Sequence, residues 1–129
     1  MKLKIVSPTK VLYEGEAKEV TVPTETGIIG ILENHENIVA TVSVGEVIIN
    51  NGSEKKTIIA NGGFVRVTNN SIMLLLDDAS LSDELVKEKI EEAILLAKQK
   101  LGEKLPASEL IKLEKQLRYQ YLKKKYTDL

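Results

Sequence analysis

The sequence contains no cysteine and no tryptophan among its 129 residues, and aromatic residues make up only 4% of it. The absence of cysteine excludes a disulfide framework and a thiolate metal site, and it is compatible with the cytosol. Because aromatic residues are so few, we expect a core of aliphatic side chains. At this length the chain can hold one compact domain, or a small domain with an appendage.

Long apolar runs are also lacking. No stretch approaches the roughly 18 apolar residues of a membrane-spanning helix, and no apolar signal-peptide region of about 7–15 residues follows the first six residues. We therefore expect a protein that is soluble or peripheral to a larger assembly.

Residues 1–80 have the pattern of β-strands. Short apolar runs and polar–apolar alternation recur at intervals of roughly 8–12 residues, which is typical of an all-β sandwich or barrel. The predicted strands cover residues 3–5, 11–22, 28–32, 38–42, 46–49, 55–60, 64–68 and 72–76.

Glycine and asparagine mark the predicted turns between these strands. Residues 50–53 contain Asn-Gly, which is a strong hairpin signal. Residues 43–45 and 61–63 are predicted as two further turns, and Gly62-Gly63 suits a hairpin better than a phosphate cradle. Residues 27–35 indicate a turn, a strand and a second turn, with a bulge, a bend or a close backbone approach at the glycines.

From residue 80 onward the apolar period becomes helical. Ser80 and Ser82 are candidate N-caps, and Asp83 and Glu84 favour the first turn of a helix. One apolar stripe is formed by Val86, Ile90, Ala93, Ile94, Ala97 and Leu101, and Gly102 ends the helix. A second helix, from Pro106 or Ser108 to about Tyr126, has its stripe at Leu110, Leu113, Leu117 and Tyr121.

Two such helices predict an antiparallel hairpin. Each stripe is narrow, so the hairpin would be marginal without docking on the β domain or on a partner. We therefore expect it to be the mobile part of the molecule.

Charge is unevenly distributed along the chain. The net charge is −1, yet residues 98–129 carry nine basic and four acidic side chains. Such asymmetry suggests that the C-terminal quarter faces an acidic partner. The alternative is a solvated helix face that is rich in lysine.

The sequence offers little for catalysis. His35, the single histidine, has no cysteine to pair with, and it fits a residue that closes a turn or touches a partner. Asp77-Asp78 and Glu91-Glu92 fit a strand end and a solvated helix face better than a metal site. The chain contains no P-loop, no G-x-G-x-x-G and no zinc-ligand spacing.

Nucleic-acid binding is a second hypothesis for the tail. Arg118 and Lys123-Lys124-Lys125 alternate with Tyr119, Tyr121 and Tyr126, which could contact phosphates and stack on bases. Against this hypothesis, the whole chain is slightly acidic and the β domain has only Tyr13 and Phe64 as aromatic platforms.

Several short motifs follow one another between residues 1 and 67. They are MKLKIVSP at residues 1–8, Tyr13-Glu14-Gly15, Val20-Thr21-Val22-Pro23, Gly27 with Gly30-Ile31-Leu32 and Asn34-His35, and Gly62-Gly63-Phe64 with Val65 and Val67. In this order and spacing the chain resembles the epsilon subunit of the bacterial F-type ATP synthase, whose signature is G-x-I-G-I-L-P-x-H followed by a G-G-F strand.

The resemblance implies the fold class β + α. An N-terminal antiparallel β-sandwich at residues 1–80 would bind the gamma subunit and the c-subunit ring, and a C-terminal antiparallel two-helix hairpin at residues 81–129 would regulate. The subunit has no active site and no cofactor of its own. It couples rotation, driven by proton or sodium flow, to ATP synthesis, and its mobile hairpin inhibits ATP hydrolysis.

The resemblance also implies partners and a location. The partners are gamma, the c ring, and the beta and alpha subunits through the hairpin, with no nucleic acid among them. Membrane association is then peripheral, through the complex, at the cytoplasmic face of the bacterial cell membrane.

Three sets of site residues follow from the resemblance. The c-ring contact is expected at Glu25, Thr26, Gly27 and Ile28. The signature turn that meets gamma is expected at Gly30, Asn34 and His35. The basic residues Lys115, Arg118, Lys123, Lys124 and Lys125 would suit an acidic segment of a beta subunit, a hypothesis motivated by the charge of the tail.

The sequence departs from the family at three places. Ile28 stands where many members have a polar or acidic residue, and Glu33 stands where proline is usual, which frees a backbone donor. Some members bind ATP through an I/L-D-x-x-R-A motif. Here the matching stretch begins Leu85-Val86 and continues to Lys89-Ile90, so the aspartate, arginine and alanine are all replaced. We predict weak or absent ATP binding, and no metal site.

Overall fold

The computed structural model describes residues 1–128; Leu129, the last residue of the predicted hairpin domain, lies outside the described residues. Eight strands precede two helices, with a short 3-10 helix between them. The strands are β1 (Lys2–Val6), β2 (Val11–Glu16), β3 (Glu19–Thr24), β4 (Gly27–Leu32), β5 (Ile38–Asn50), β6 (Lys55–Thr68), β7 (Ser71–Leu76) and β8 (Ala79–Leu81). The 3-10 helix is Ser82–Glu84, and the helices are α1 (Lys87–Leu101) and α2 (Ala107–Thr127).

The strands form a two-layered sandwich, which confirms the predicted fold class. The first layer has the order β2-β1-β7-β6-β5, and the second layer has the order β4-β3-β5-β6-β8. All pairs are antiparallel except β1 with β7, which is parallel. The core between the layers is built from aliphatic residues and Met1, as the scarcity of aromatic residues predicts.

Strands β5 and β6 belong to both layers. Along β6 the core-facing residues are Ile58 and Ala60 in the first half, then Val65 and Val67 in the second. Because side chains alternate along a strand, this change from even to odd positions shows that the strand turns a corner and presents its opposite face inward. β7 pairs with the second half of β6, and β8 pairs with the first half.

Glycines mark this corner, and the turns predicted at residues 43–45 and 61–63 are therefore wrong. Gly63 has φ 137°, and a side chain there would clash with the carbonyl oxygen of Leu75. In β5 a Cβ at Gly45 would lie 2.7 Å from Cβ of Pro23. These glycines permit a bend and a close approach, not a chain reversal. The hairpin predicted at residues 50–53 is present, joining β5 to β6.

The single strand predicted over residues 11–22 is also wrong, because the structure divides it. β2 lies in the first layer and β3 in the second. Ala17 is buried at the crossing between them, and its N–H donates to the carbonyl of Met1 at 2.9 Å. Alternation continues on both sides of this crossing, so the sequence gives no sign of the change of layer.

The first helix starts later than predicted. Ser80 is not an N-cap: it belongs to β8 and pairs with Ile59. Ser82 starts the 3-10 helix, and α1 begins only at Lys87, after Val86, which makes no side-chain cap bond. Gly102 ends α1 as predicted, and α2 starts and ends close to the predicted positions. The domain boundary at residue 80 stays a prediction, although the sheet extends to Leu81.

The helices of residues 1–128 include none that is long and apolar enough to cross a membrane. They form a hairpin instead, with Ile90, Ile94 and Ala97 of α1 buried together with Leu113 of α2. Lys87 at the start of α1 and Asp128 after α2 are 3.2 Å apart and join the open end of the hairpin.

Candidate partner-binding surfaces

The turn between β3 and β4 projects from the sandwich. Glu25, Thr26, Gly27 and Ile28 are all exposed, and Ile28 is 76% exposed. The buried hydroxyl of Thr24 donates to the carbonyl of Gly27 at 2.6 Å, and the φ of 126° at Gly27 favours glycine. The predicted ring-contact residues thus form one exposed turn that hydrogen bonds from Thr24 hold in shape, and we call residues 25–28 the tip.

Thr24 supports this candidate surface, although the sequence reasoning did not single it out. Its Oγ1 also lies 3.2 Å from Oγ1 of Thr26, so one buried side chain fixes the shape of the tip. The signal was a threonine placed at the start of a polar turn, where its hydroxyl can bond backbone groups two or three residues on.

The other signature residues lie at the opposite end of β4. Asn34, with φ 63°, donates its backbone N–H to Oδ1 of Asn70 at 2.9 Å, which ties this turn to the β6–β7 hairpin. The N–H of His35 donates to the carbonyl of Leu32 at 3.1 Å, so His35 closes the turn. Since β4 has six residues, about 20 Å of strand separates this turn from the tip. The structure therefore separates Asn34 and His35 from the predicted ring contact, whereas Gly30 lies in the strand between them.

Gly30 lies in the middle of β4, where no bulge or bend occurs. The register with β3 is regular from Glu19–Leu32 to Thr24–Gly27. A Cβ at Gly30 would meet only Oε1 of Glu19, at 3.7 Å. The bulge, bend or close backbone approach predicted at the glycines of this stretch is therefore wrong for Gly30, which lies in a regular edge strand.

A row of apolar side chains crosses the outer face of the first layer. Phe64 pairs with Leu75, Leu75 with Val6, and Val6 with Val11. Phe64, Leu75 and Val11 are each more than half exposed. We call these four residues the apolar row. The sequence signal was the continuous apolar run of residues 72–76, which indicates a strand covered on both faces.

Helix α2 packs on the outer face of the second layer. Ile59 is fully buried yet lies outside the sandwich core, and its neighbours across the sheet are Glu46 and Ser80. The hydroxyls of Tyr119 and Ser80 are 3.1 Å apart, and the Tyr126 hydroxyl donates to a carboxylate oxygen of Glu46. Two tyrosines of α2 therefore attach on either side of one buried isoleucine.

Burial shifts the pKa values of three side chains in this interface. It raises the pKa of Tyr119 to about 12, against the opposing effect of the hydrogen bond with Ser80. It also raises the pKa of Tyr126 to about 12, with the Glu46 carboxylate acting in the same direction. Lys123, whose Nζ lies 4.5 Å from the centre of the Tyr119 ring, has its pKa lowered by burial, partly offset by Asp78.

The five basic residues of the tail do not form one free surface. Lys115 is paired with Asp77 at 3.7 Å, and Lys123 covers the Tyr119 ring. Lys124 is half-buried, whereas Arg118 and Lys125 are exposed. Lys115 and Arg118 also line a groove of about 430 Å³ that reaches Glu25 and Phe64. In this docked state the predicted beta-subunit contact is partly occupied by the chain itself.

The residues of the degenerate ATP motif do not converge on a pocket. Leu85 and Val86 have extended backbones before α1, Val86 and Lys89 are exposed, and Ile90 is buried in the hairpin. Within residues 1–128, no three His, Cys, Asp or Glu side chains are grouped as a metal would require.

The comparisons with known proteins match this architecture. The family described as "ATP synthase, Delta/Epsilon chain, beta-sandwich domain" matches residues 1–82. The ATP synthase epsilon chain of Leptospira interrogans serovar copenhageni is 37% identical over 109 residues, which cover 84% of this chain and 82% of that one. The epsilon chain of Endomicrobium trichonymphae is 33% identical over 116 residues, covering 90% and 84%.

Solved structures share the fold. A chain in the OSCP/F1/c-ring structure of the Euglena gracilis mitochondrial ATP synthase superposes with a TM-score of 0.75 at 21% identity, covering 93% of this chain and 76% of that chain. A chain in the central stalk/c-ring structure of the Tetrahymena thermophila enzyme gives a TM-score of 0.58 at 19% identity, covering 64% and 67%.

Proposed function

The chain belongs to the ATP synthase epsilon family, and from this membership we propose that it is a non-catalytic subunit of the central stalk. It couples rotation of the c ring and gamma to ATP synthesis, and its hairpin restrains ATP hydrolysis. It works at the cytoplasmic face of the bacterial cell membrane and is held there only through the complex.

The apolar row is the observation that carries this proposal. Three of its four side chains are more than half exposed on one sheet face, and contiguous exposed apolar patches mark interaction sites. Gamma is the partner that we assign to this face, because a stable stalk needs an apolar contact of this kind.

The contact with gamma is tested by retention of a co-expressed gamma subunit. The double variant Phe64→Glu with Leu75→Glu places two charges in the apolar row and should abolish retention. Ile28→Lys changes an even more exposed apolar residue on the tip and should leave retention intact. Full retention by the double variant would refute the assignment of this face.

The tip of residues 25–28 is proposed to contact the c ring, with Ile28 making an apolar contact in place of a charged one. The turn of Asn34 and His35, with Gly30 in the strand between, is proposed to face gamma. Because the chain has no cysteine, single cysteines can test both assignments in the assembled enzyme. Ile28→Cys should cross-link to a ring subunit, and His35→Cys should cross-link to gamma. The reverse pattern would contradict both.

The hairpin is proposed to leave its contact with the sandwich and to bind a beta subunit instead. Lys115 contacts Asp77 and Lys123 covers the Tyr119 ring while α2 is docked, so these two side chains must leave those contacts before they can bind a beta subunit. Arg118 and Lys125 are exposed in the docked state. Replacing them therefore tests contact with a beta subunit without disturbing the docking of α2 on the sandwich.

Replacing Arg118 and Lys125 with alanine should raise ATP hydrolysis by the assembled enzyme while leaving docking unchanged. Replacing the exposed Lys55 and Lys56 with alanine is the matched control and should change nothing. If alanine at all five basic positions left hydrolysis unchanged, the beta-subunit contact would be excluded.

ATP binding by the isolated chain is proposed to be weak or absent, because Val86 and Lys89 replace the polar ligands and Ile90 is buried. Calorimetric titration with ATP checks this, and saturation well below millimolar would overturn it. Binding of single-stranded nucleic acid is not favoured, because Tyr119 and Tyr126 are engaged with the sandwich.

A further inference from the structure

A second row of side chains lies beside the apolar row on the outer face of the first layer. Val39 pairs with Arg66, Arg66 pairs with Met73, and Met73 pairs with Lys4. We call these four residues the Arg66 row. Three of them lie two positions along a strand from a member of the apolar row, so their side chains stand on the same face of the sheet. Two positions span roughly 7 Å, so the two rows form one continuous surface.

Arg66 is an exposed cation with apolar neighbours. Its cross-strand neighbours are Met73 and Val39, which is 72% exposed, and Phe64 precedes it by two positions on the same face. Within residues 1–128, none of the ion pairs involves Arg66. Glu36, three positions before Val39, lies outside β5. Arginine, methionine and aromatic residues are the types enriched at protein–protein interfaces, and arginine is frequent among the residues that contribute most to binding.

Positive charge predominates around this row. A groove of about 500 Å³ is lined by Arg66, Lys2 and Lys4, and also by Glu14 and Glu16. Glu16 is paired with the amino terminus at 3.3 Å. Glu14 lies opposite Lys4 on β2, three strands away from Arg66 in the order of the sheet. The cationic groups therefore outnumber the carboxylates, and a partner that covers this surface must bring negative charge to Arg66.

We propose that Arg66 binds a carboxylate of gamma, and that gamma therefore covers both rows. This inference rests on the proposed assignment of gamma to the apolar row, with which the Arg66 row is continuous. The planar guanidinium matches a carboxylate and can donate two parallel hydrogen bonds to it. Gamma then carries an acidic side chain roughly 7 Å from the apolar side chain that contacts Phe64. A basic side chain at that position would be repelled, so Arg66 contributes to the choice of partner.

Charge reversal tests the contact. Arg66→Glu should raise the dissociation constant for the purified gamma subunit of the same enzyme at least about tenfold. Lys56→Glu is the matched control, because it changes the net charge by the same amount at an exposed residue of the same strand, in the second layer. It should leave the dissociation constant unchanged, and circular dichroism verifies that both variants are folded. Native affinity in Arg66→Glu, or equal losses in the two variants, would overturn the proposal.

Two milder variants distinguish a carboxylate contact from packing of the side-chain stem. Arg66→Lys keeps the charge and loses the planar fork, whereas Arg66→Met keeps an apolar stem and loses the charge. Affinity for gamma should fall from the native chain to the lysine variant and further to the methionine variant. Added salt should weaken the native complex more steeply than the methionine variant. Equal salt dependence, or a methionine variant that binds as well as the lysine variant, would overturn the proposal.

The double variant Phe64→Glu with Leu75→Glu separates this inference from the proposed function. Loss of gamma in the double variant together with native affinity in Arg66→Glu would overturn the role of Arg66 and leave gamma on the apolar row. Binding of gamma by the double variant would instead refute the assignment of the whole face. Sedimentation of the chain without gamma checks the other occupant, because a dimer that Arg66→Glu dissociates would assign this surface to a second copy and overturn the proposal.

Discussion

At the scale of single residues, Tyr119 is the side chain that the helical pattern hides. The predicted stripe of α2 was Leu110, Leu113, Leu117 and Tyr121, yet the buried residues are Leu113 and Tyr119. α2 contacts α1 on one side and the sandwich on another, so it has two buried faces. A pattern with a single period cannot reveal the second face, because its contacts are made by amphipathic tyrosines and a lysine stem.

Replacing Tyr119 with phenylalanine should lower the free energy of unfolding by about 1 kcal/mol. The ring and its contact with Lys123 remain, and only the hydrogen bond with Ser80 is lost. Urea denaturation measures the change. Tyr121→Phe, at a tyrosine 43% exposed, is the control and should change stability little; an equal loss in both variants would contradict the role given to Tyr119.

Alkaline pH should undock α2. Both Tyr119 and Tyr126 have their pKa raised from 10.0 to about 12 in the folded state. Below pH 10 both residues are protonated in the folded and unfolded states, so their contribution is fully present. Between pH 10 and pH 12 the unfolded chain releases protons that the folded chain retains, so stability falls as pH rises.

Urea midpoints measured across this interval test the sign. The double variant Tyr119→Phe with Tyr126→Phe should lose less stability than the native chain over the same pH change. Parallel losses in the two proteins would show that other groups control the alkaline transition.

At the scale of elements, two glycines inside strands differ in whether the fold requires glycine there. Gly63→Ala should destabilise the sandwich by roughly 3 kcal/mol or more, because φ is 137° and the new Cβ meets backbone. Gly30→Ala should be nearly neutral, since β4 is regular there and the space is open. Chemical denaturation measures the free energy of unfolding of both variants. Similar losses at the two glycines would contradict the assignment of a corner in β6 at Gly63.

The same two glycines show what the sequence can and cannot predict about the strands. Alternation located nearly every strand, because burial on one face repeats every second residue. It could not tell a corner at Gly63 from a reversal, since both interrupt the pattern with glycine. It also could not separate β2 from β3, because the layer to which a strand belongs depends on pairings distant in sequence.

The candidate surfaces also differ in how far the sequence alone could predict them. The tip of residues 25–28 could be located from Thr24 to Gly27, because turn chemistry is local. The apolar row could not, because Val6, Val11, Phe64 and Leu75 become neighbours only through the register of four strands. Lys115 and Lys123 were identified as basic, but their engagement with Asp77 and Tyr119 depends on where α2 docks.

At the scale of the whole molecule, the sandwich should fold without the hairpin. All residues of its core cluster precede residue 80. A chain of residues 1–86 should keep its sheet spectrum and lose roughly 1.5–3 kcal/mol of stability, because Ile59 becomes exposed. Circular dichroism with urea denaturation measures both, and an unfolded 1–86 chain would show that α2 is part of the structural core.

The passage of β5 and β6 through both layers has a mechanical consequence. Their pairing runs without a change of register from Ile38–Val67 to Asn50–Lys55. Two separate sheets can shear past each other by displacing side chains, but here shear must also rupture backbone hydrogen bonds between β5 and β6, which keep one register on both sides of Ser43 and Gly62. The tip belongs to the second layer and the apolar row to the first, so we expect a load applied at one to reach the other through the strands β5 and β6 that the two layers share. If the chain transmits torque as proposed, we expect the sandwich to act as a rigid coupling whose two layers do not slip past each other.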